Sequence, residues 1–236
     1  EDLTERFGIS LMTAHRDVDD LVSRGLFRKT RGVVSAAPTS LIESSDAYRA
    51  TKQAKEKKAI AKAAMQFVEP GQAIFMDDAT TVHEMTRFLP AKVPLTVITN
   101  SLVLINELKE VVDINLICLG GQFYHWCNAF MGHITSNEIR RLRADTVFMS
   151  LSAIVDDVVY HQSPETVATK RAMFESSSKR VLLADHTKFE RRALHHFATL
   201  EEFDAVIVDE DIPISHLSRM RSKGINVIVA DGERSG

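Results

Sequence analysis

From residue 73 onward, short apolar runs rich in β-branched residues alternate with longer stretches in which apolar positions recur every three or four residues. The runs are Ala73 to Met76, Leu95 to Ser101, Ile114 to Leu119, Thr146 to Ser152, Arg180 to Asp185, Ala205 to Asp209 and Asn226 to Ala230. Their length and composition predict seven buried strands, and the periodic stretches predict helices to about Phe88, to about Lys109, over Ser136 to Arg143, over Glu165 to Ser177 and to about Lys223. A strand that is apolar at nearly every position is covered on both faces, which is the mark of a parallel sheet with crossover helices. The expected fold class is therefore α/β: a mainly parallel, Rossmann-like sheet with helices on both faces.

The first 36 residues follow another pattern. Asp2 to Phe7 reads as the end of a helix, Gly8-Ile9 as a tight turn and Ser10 as the N-cap of a second helix running from Leu11 to about Ser23, closed by Gly25. Leu11, Ala14, Val18, Leu21 and Val22 fall on one side of it; Met12, Thr13, Arg16 and Asp20 face the other way, with His15 at the border. Leu26 to Ser35 reads as a hairpin carrying Arg28, Lys29 and Arg31 at its tip. An ordinary helical hairpin also explains the helices, and Asp17, Asp19 and Asp20 favour it. The basic hairpin beside Thr13, His15 and Arg16 tips the balance towards a helix-turn-helix with a wing, in which arginine reads base edges and neighbouring groups hold phosphates.

Residues 37–46, with Pro38 among Ala, Ser and Thr, read as a linker, giving a partial DNA-binding domain over 1–36 and an α/β domain over 47–236. The second domain opens with a helical pattern from Ala47 to Val68. Ile60, Ala61, Ala64, Met65, Phe67 and Val68 form its apolar set, and Lys52, Lys55, Lys57, Lys58 and Lys62 are assigned to its solvated side, although such a run could also touch DNA phosphates.

Composition narrows the partners. With 44% hydrophobic residues in 236, the chain can bury a large core, and no apolar run approaches the length of about 18 residues that a membrane helix needs. There is no basic leader followed by an apolar core, and two cysteines make a disulfide framework unlikely, so a reducing, cytoplasmic setting is expected. A net charge of −3 confines any DNA binding to a local basic patch. No metal is expected either. His195 and His196 are adjacent and would point apart on an extended segment, and His125, Cys127 and His133 lack the helical spacing of a zinc site.

Candidate chemistry gathers at the strand ends. The first strand runs into Asp77, Asp78, Ala79, Thr80 and Thr81, and other strands end in Thr99-Asn100-Ser101, Gly120-Gly121, Ser150 and Ser152, and Asp185 with Lys188 nearby. In a parallel sheet these ends lie along one edge, where ligands bind. The loop before a helix offers backbone N–H groups and threonine hydroxyls to an anion, although Thr80 or Thr81 as a simple helix cap explains the same residues. Tyr160, His161 and Glu165 sit in a loop that could close over this edge, and Glu165 is equally explained as a first-turn acid.

Taken together, Ser10 to Leu21 and the basic wing resemble the winged helix-turn-helix of the DeoR family of bacterial transcriptional regulators. The resemblance continues through Asp77 to Thr81 for that family's Asp-Ser-Gly-Thr-Thr loop, Thr99-Asn100-Ser101, Leu119-Gly120-Gly121, Thr169 to Met173, and Leu183 to Phe189 for Leu-Ala-Asp-x-x-Lys-Phe. It departs at His15, where the family usually has arginine, at the wing's Thr30 to Val33, and at Asp78 and Ala79, which replace serine and glycine. The chain also opens inside the family's second helix.

The resemblance implies a repressor of sugar-catabolic genes, without a cofactor, that binds operator DNA as a homodimer or homotetramer and senses a small phosphorylated sugar. The phosphate would rest on Thr80 and Thr81, Lys170 or Lys188 would supply the counter-charge, and Asn100 and the carboxylates would hold hydroxyls. Met12, Thr13, His15, Arg16, Arg28, Lys29 and Arg31 would face DNA. The rival expectation is a sugar-phosphate isomerase or deaminase using Asp77, Asp78 or Glu165 as its base, a role that leaves the basic wing without a purpose. A third is a sensor acting only through a protein partner.

Overall fold

The computed structural model describes residues 2–23, 27–30, 33–36 and 45–232. Gly25, Arg31, Gly32 and linker residues 37–44 lie outside the described residues, as do the side chains of Arg28 and Lys29.

The N-terminal helices are α1 (Asp2–Phe7) and α2 (Leu11–Ser23), followed by an antiparallel hairpin of β1 (Phe27–Thr30) and β2 (Val33–Ala36). Ser10 caps α2 as expected, its Oγ accepting from the Thr13 N–H at 3.1 Å. Ala14 and Val18 are buried and Leu21 and Val22 half-buried, whereas Leu11, assigned to the same apolar side, is exposed because it sits in the first turn. Met12, His15 and Arg16 are exposed and Thr13 is half-buried.

The long helix expected from Ala47 to Val68 is interrupted. It divides into α3 (Asp46–Ala50) and α4 (Ala54–Ala64), with Gln53 between them in left-handed backbone at φ 49°. A left-handed residue breaks the helical hydrogen-bond ladder and turns the chain, so α3 leaves the line of α4. Lys57 is likewise not on the solvated side: it is buried on the face of α4 that carries Ile60, Ala61 and Ala64.

The remaining elements are β3 (Ala73–Met76), α5 (Thr80–His83), β4 (Leu95–Thr99), α6 (Leu102–Leu108), β5 (Ile114–Cys118), β6 (Gln122–Tyr124), β7 (Ala129–Met131), α7 (His133–Arg140) and β8 (Ala144–Met149). They continue with β9 (Ala153–Val155), β10 (Val158–His161), α8 (Pro164–Glu175), β11 (Ser177–Ala184), β12 (His195–Thr199), β13 (Ala205–Asp209), α9 (Ile214–Ser222) and β14 (Val227–Ala230). The helix expected to reach Phe88 is one α-turn, α5, followed by 3₁₀ turns at Glu84–Arg87 and Leu89–Lys92.

The seven expected strands form a single seven-stranded sheet in the order β14-β13-β11-β8-β3-β4-β5, and every neighbouring pair is parallel. Alternation along each strand divides the core into two. Phe75, Val147, Met149 and Leu182 pack on one face, whereas Ile74, Met76, Phe148, Val181 and Leu183 pack on the other. Short antiparallel pieces, β6 with β7 and β9 with β10 and β12, complete the domain.

From β3 the chain steps outward through β4 to β5, then returns to β8 on the other side of β3 and continues outward to β14. The order therefore reverses between β3 and β8. A reversal of this kind opens a crevice at the carboxyl ends of the two strands.

Candidate functional site

The reversal places Asp77, just after β3, opposite Ser150, just after β8. Asp77 is fully buried, and its carboxylate is saturated with donors: Oδ1 accepts from the Ala79 N–H at 2.9 Å, and Oδ2 accepts from the Ser150 N–H at 2.9 Å and from Lys170 Nζ at 2.6 Å. Lys170 comes from α8 and is 3% exposed. Its ammonium also donates to the Ser150 carbonyl at 2.9 Å and stands 3.2 Å from Asp78 Oδ1 in an ion pair. Asp77 Oδ2 and the Ser150 carbonyl accept two of the ammonium's three protons, and Asp78 meets it as an ion pair.

Burial depresses a lysine, but Asp77 and Asp78 outweigh it here and raise Lys170 above its ordinary value. Burial pushes Asp78 up, and Lys170, Arg49 and His161 together overcome that and hold its carboxyl below the usual range. Asp77 goes the other way, since burial foremost raises its carboxyl above the usual range against the pull of Lys170. The result is a buried, tightly coupled triad at the floor of the crevice.

Above the floor, Arg49, Thr80, Thr81, Ser152, His161 and Lys188 line a pocket with Ala79, Ser150, Leu151 and Lys170. The space measures about 260 Å³ out to its mouth, but only about 10 Å³ of it is clear of every wall, roughly one water. Ser150 Oγ is buried and has no hydrogen-bond partner. His161 Nδ1 accepts from the Ser163 N–H at 3.0 Å, and the ring lies 6.4 Å from Trp126.

Lys57 sits behind this wall, donating to the Arg49 carbonyl. Burial first, and then Lys188, brings its pKa down to about 8. Asp185 caps the turn that carries Lys188, accepting from the Thr187 N–H at 3.1 Å. Burial pushes its carboxyl up, but Lys188 foremost holds it low. Arg49, Lys57, Lys170 and Lys188 thus meet Asp77, Asp78 and Asp185, which leaves an excess of positive charge where an anion would enter.

Of the residues expected to bind a ligand, Ala79, Thr80, Thr81, Ser152, Lys170 and Lys188 come together around the pocket, with Asp77 and Asp78 beneath it. Asn100 and Ser101 are buried at the end of β4 and face internal partners. Asn100 Nδ2 donates to the Phe130 carbonyl at 2.9 Å, and Ser101 caps α6. Gly120 and Gly121 do not line the pocket. Gly121 passes so close to Thr135 that a Cβ there would stand 2.0 Å from its Oγ1, so the glycine is needed for packing. Glu165 is exposed and accepts from Ser163 Oγ at 3.0 Å, and Tyr160 packs on His196.

Arg49 and the placement of Lys57 were missed by sequence reasoning. Lys57 did carry a signal, because it lies three, four and seven residues before Ile60, Ala61 and Ala64, in phase with the buried stripe.

Among the described residues, His186, Asp209 and Asp211 could together approach a metal ion. Asp209 is already tied there: its Oδ2 accepts from the His186 N–H at 2.6 Å and its Oδ1 from the Asp211 N–H at 3.0 Å. The histidines and Cys127 considered earlier do not converge. Cys127 is buried, its thiol pushed up to about 12 chiefly by that burial, while His125, His133 and His196 are exposed. No helix among the described residues is long and apolar enough to cross a membrane.

Residues 52–210 match the model of the DeoR C-terminal sensor domain. This chain belongs to the DeoR family. The glycerol-3-phosphate regulon repressor of Escherichia coli K12 is 30% identical over 220 residues, spanning 91% of this chain and 85% of the relative. The transcriptional repressor AccR of Agrobacterium fabrum is 30% identical over 209 residues, spanning 88% of this chain and 81% of its own. Among solved structures, a D-ribose-5-phosphate isomerase in complex with phospho-erythronic acid aligns with a TM-score of 0.41 at 14% identity, over 56% of this chain and 52% of that one. As a DeoR-family member the chain is a transcriptional regulator with a sensor domain, and its curated relatives are repressors rather than enzymes.

Proposed function

We propose that this DeoR-family regulator is a cytoplasmic repressor of carbohydrate-catabolic genes, relieved when a small phosphorylated sugar or related metabolite occupies the pocket between the ends of β3 and β8. The observation that carries the reading is the pocket itself. It lies at the sheet's switch point, over the Asp77–Lys170–Asp78 triad, with Thr80, Thr81, Arg49 and Lys188 in its wall. Phosphate takes the cationic and hydroxyl side, and the sugar hydroxyls meet Asp78 and Ser150.

Operator DNA is bound by α2 and the wing through Met12, Thr13, His15, Arg16, Arg28, Lys29 and Arg31. A homodimer or homotetramer presents two such modules to a two-fold operator. Effector and operator weaken one another by the same factor, since coupling between two sites is reciprocal.

A thermal-shift screen of the full chain against glycerol 3-phosphate, ribose 5-phosphate, glycerol and ribose tests the sensor. A bound probe adds about 2.7 kcal/mol of stability at a hundredfold excess over its Kd. The same probe should release the chain from operator DNA in a fluorescence-anisotropy titration whose affinity falls steeply with salt. Stabilisation by an unphosphorylated sugar alone would overturn the phosphate assignment, and turnover of a sugar phosphate would revive the enzyme reading.

A further inference from the structure

One wall of the pocket is not built into the sheet. Helix α3 has no buried residue, and five residues are too few for a helix to persist unaided. Specific ties hold it. The Asp46 N–H donates to the Trp126 carbonyl at 2.9 Å, and Asn128 Nδ2 donates to Asp46 Oδ2 at 2.8 Å. Lys57 Nζ donates to the Arg49 carbonyl, and the Arg49 guanidinium lies 5.8 Å from the centre of the Trp126 ring. Arg49 lines the pocket, and in the chain α3 follows directly on the segment that leads from the winged domain.

Three observations point to a task for Arg49. Lys170, the cation at the pocket floor, donates to Asp77 and the Ser150 carbonyl and is paired with Asp78. The turn at Thr80–Thr81 opens a helix of only four residues, whose dipole adds little. A ligand of sugar size cannot fit in the clear space, so a wall must move to admit it, and α3 is the wall with least packing.

We propose, resting on the effector-pocket reading above, that Arg49 is the residue that distinguishes a phosphate monoester from an uncharged sugar, and that its engagement repositions α3 against the Trp126 turn. A guanidinium suits this role because its planar fork grips phosphate through two parallel hydrogen bonds. Asp78, beneath the pocket, and the unpartnered Ser150 Oγ in its wall are the groups left to meet the hydroxyls.

Trp126 is the single tryptophan of the chain, so its emission reports on this turn alone. The experiment titrates the full-length wild type, Arg49→Ala and Arg49→Lys with glycerol 3-phosphate, ribose 5-phosphate, inorganic phosphate, glycerol and ribose. It reads Trp126 emission together with calorimetric affinity. The phosphorylated probe that binds wild type should shift Trp126 emission and bind Arg49→Ala about 10- to 100-fold more weakly, as loss of a charge-assisted pair implies. Arg49→Lys should recover only part, and any weak binding of the unphosphorylated counterpart should be the same in all three. Equal affinity of wild type and Arg49→Ala for the phosphorylated probe would overturn the role of Arg49 while leaving the pocket reading intact. Binding with an unchanged Trp126 spectrum would overturn the movement of α3, and failure of every phosphorylated probe to bind wild type would sink both readings.

Discussion

Replacing Lys170 by Met removes the one ammonium that lies against both Asp77 and Asp78. The side chains of Lys170 and Asp77 are 3% and 0% exposed, and that of Asp78 is 3% exposed, so water cannot take the lysine's place. Breaking a buried ion pair by deleting one partner costs about 3–5 kcal/mol, because the other partner stays buried and uncompensated. For a chain of this size each kcal/mol moves Tm by about 2–4 °C, so Lys170→Met should melt about 6–20 °C below wild type near neutral pH.

The loss should depend on pH with a definite sign. Without Lys170 the leading influence on both carboxyls is burial, which raises their folded-state pKa above the unfolded value of about 3.9. The folded variant then binds more protons than its unfolded chain, and its stability falls as pH rises through that window. Urea unfolding followed by circular dichroism at pH 8 and pH 5 should show the gap to wild type narrowing at pH 5. Adding Asp77→Asn to Lys170→Met should restore part of the loss at pH 8, since it removes one of the stranded charges. A gap below about 1 kcal/mol at pH 8, or one that does not narrow on acidification, would refute the coupled triad.

Two further outcomes follow from the same geometry. Burial, and next Lys188, lowers Lys57 to about 8, and a phosphate dianion bound beside Arg49 would pull it back up. Binding then takes up a proton wherever free Lys57 is neutral, so the affinity for a phosphorylated probe should decline as pH rises above about 8. It should also rise from pH 5 to 7 as the phosphate loses its second proton near 6. Calorimetry across this range checks both limbs, and persistence of the alkaline decline in Lys57→Met would exclude Lys57 as its source. Gly121→Ala should destabilise the domain by about 1–3 kcal/mol, typical of overpacking, in thermal melts. Its Cβ would stand 2.0 Å from Thr135 Oγ1 and 2.9 Å from the Met131 carbonyl at φ +151°, yet the folded fraction should bind the probe as wild type does.

The parallel sheet was legible because a strand covered on both faces has almost no choice of residue. Ala205 to Asp209 is buried at every position, and Ala73 to Met76 at all but the first, so each reads as an unbroken apolar run. The strand-end residues were legible for the same reason, since polarity returns where the cover ends. The small antiparallel strands were not. β6 and β7 have three residues each and are only partly buried, too short to show a period. Arg49 was out of reach for a different reason: its position depends on the left-handed Gln53, which turns α3 over the pocket and leaves no trace in a hydrophobic pattern.

The two departures from the family's loop bear on how the proposed phosphate would fit this site. Asp78 adds a carboxylate where the family has serine, which by itself would repel a dianion. It stands 3.2 Å from Lys170, however, and Arg49 and His161 add further positive potential around it, enough to overcome burial and keep it ionised. A carboxylate held in that way is paired with Lys170, which in the proposed complex lowers its repulsion of the phosphate. Ala79 raises no obstacle either. Its backbone lies at φ −76° and ψ 138°, which any residue adopts, and its N–H donates to Asp77 rather than outward. Because the loop backbone requires no glycine, what Asp78 changes is the balance of charge beneath the pocket, and under the proposed reading Arg49, with Lys188 also in the wall, is the group on which phosphate recognition depends.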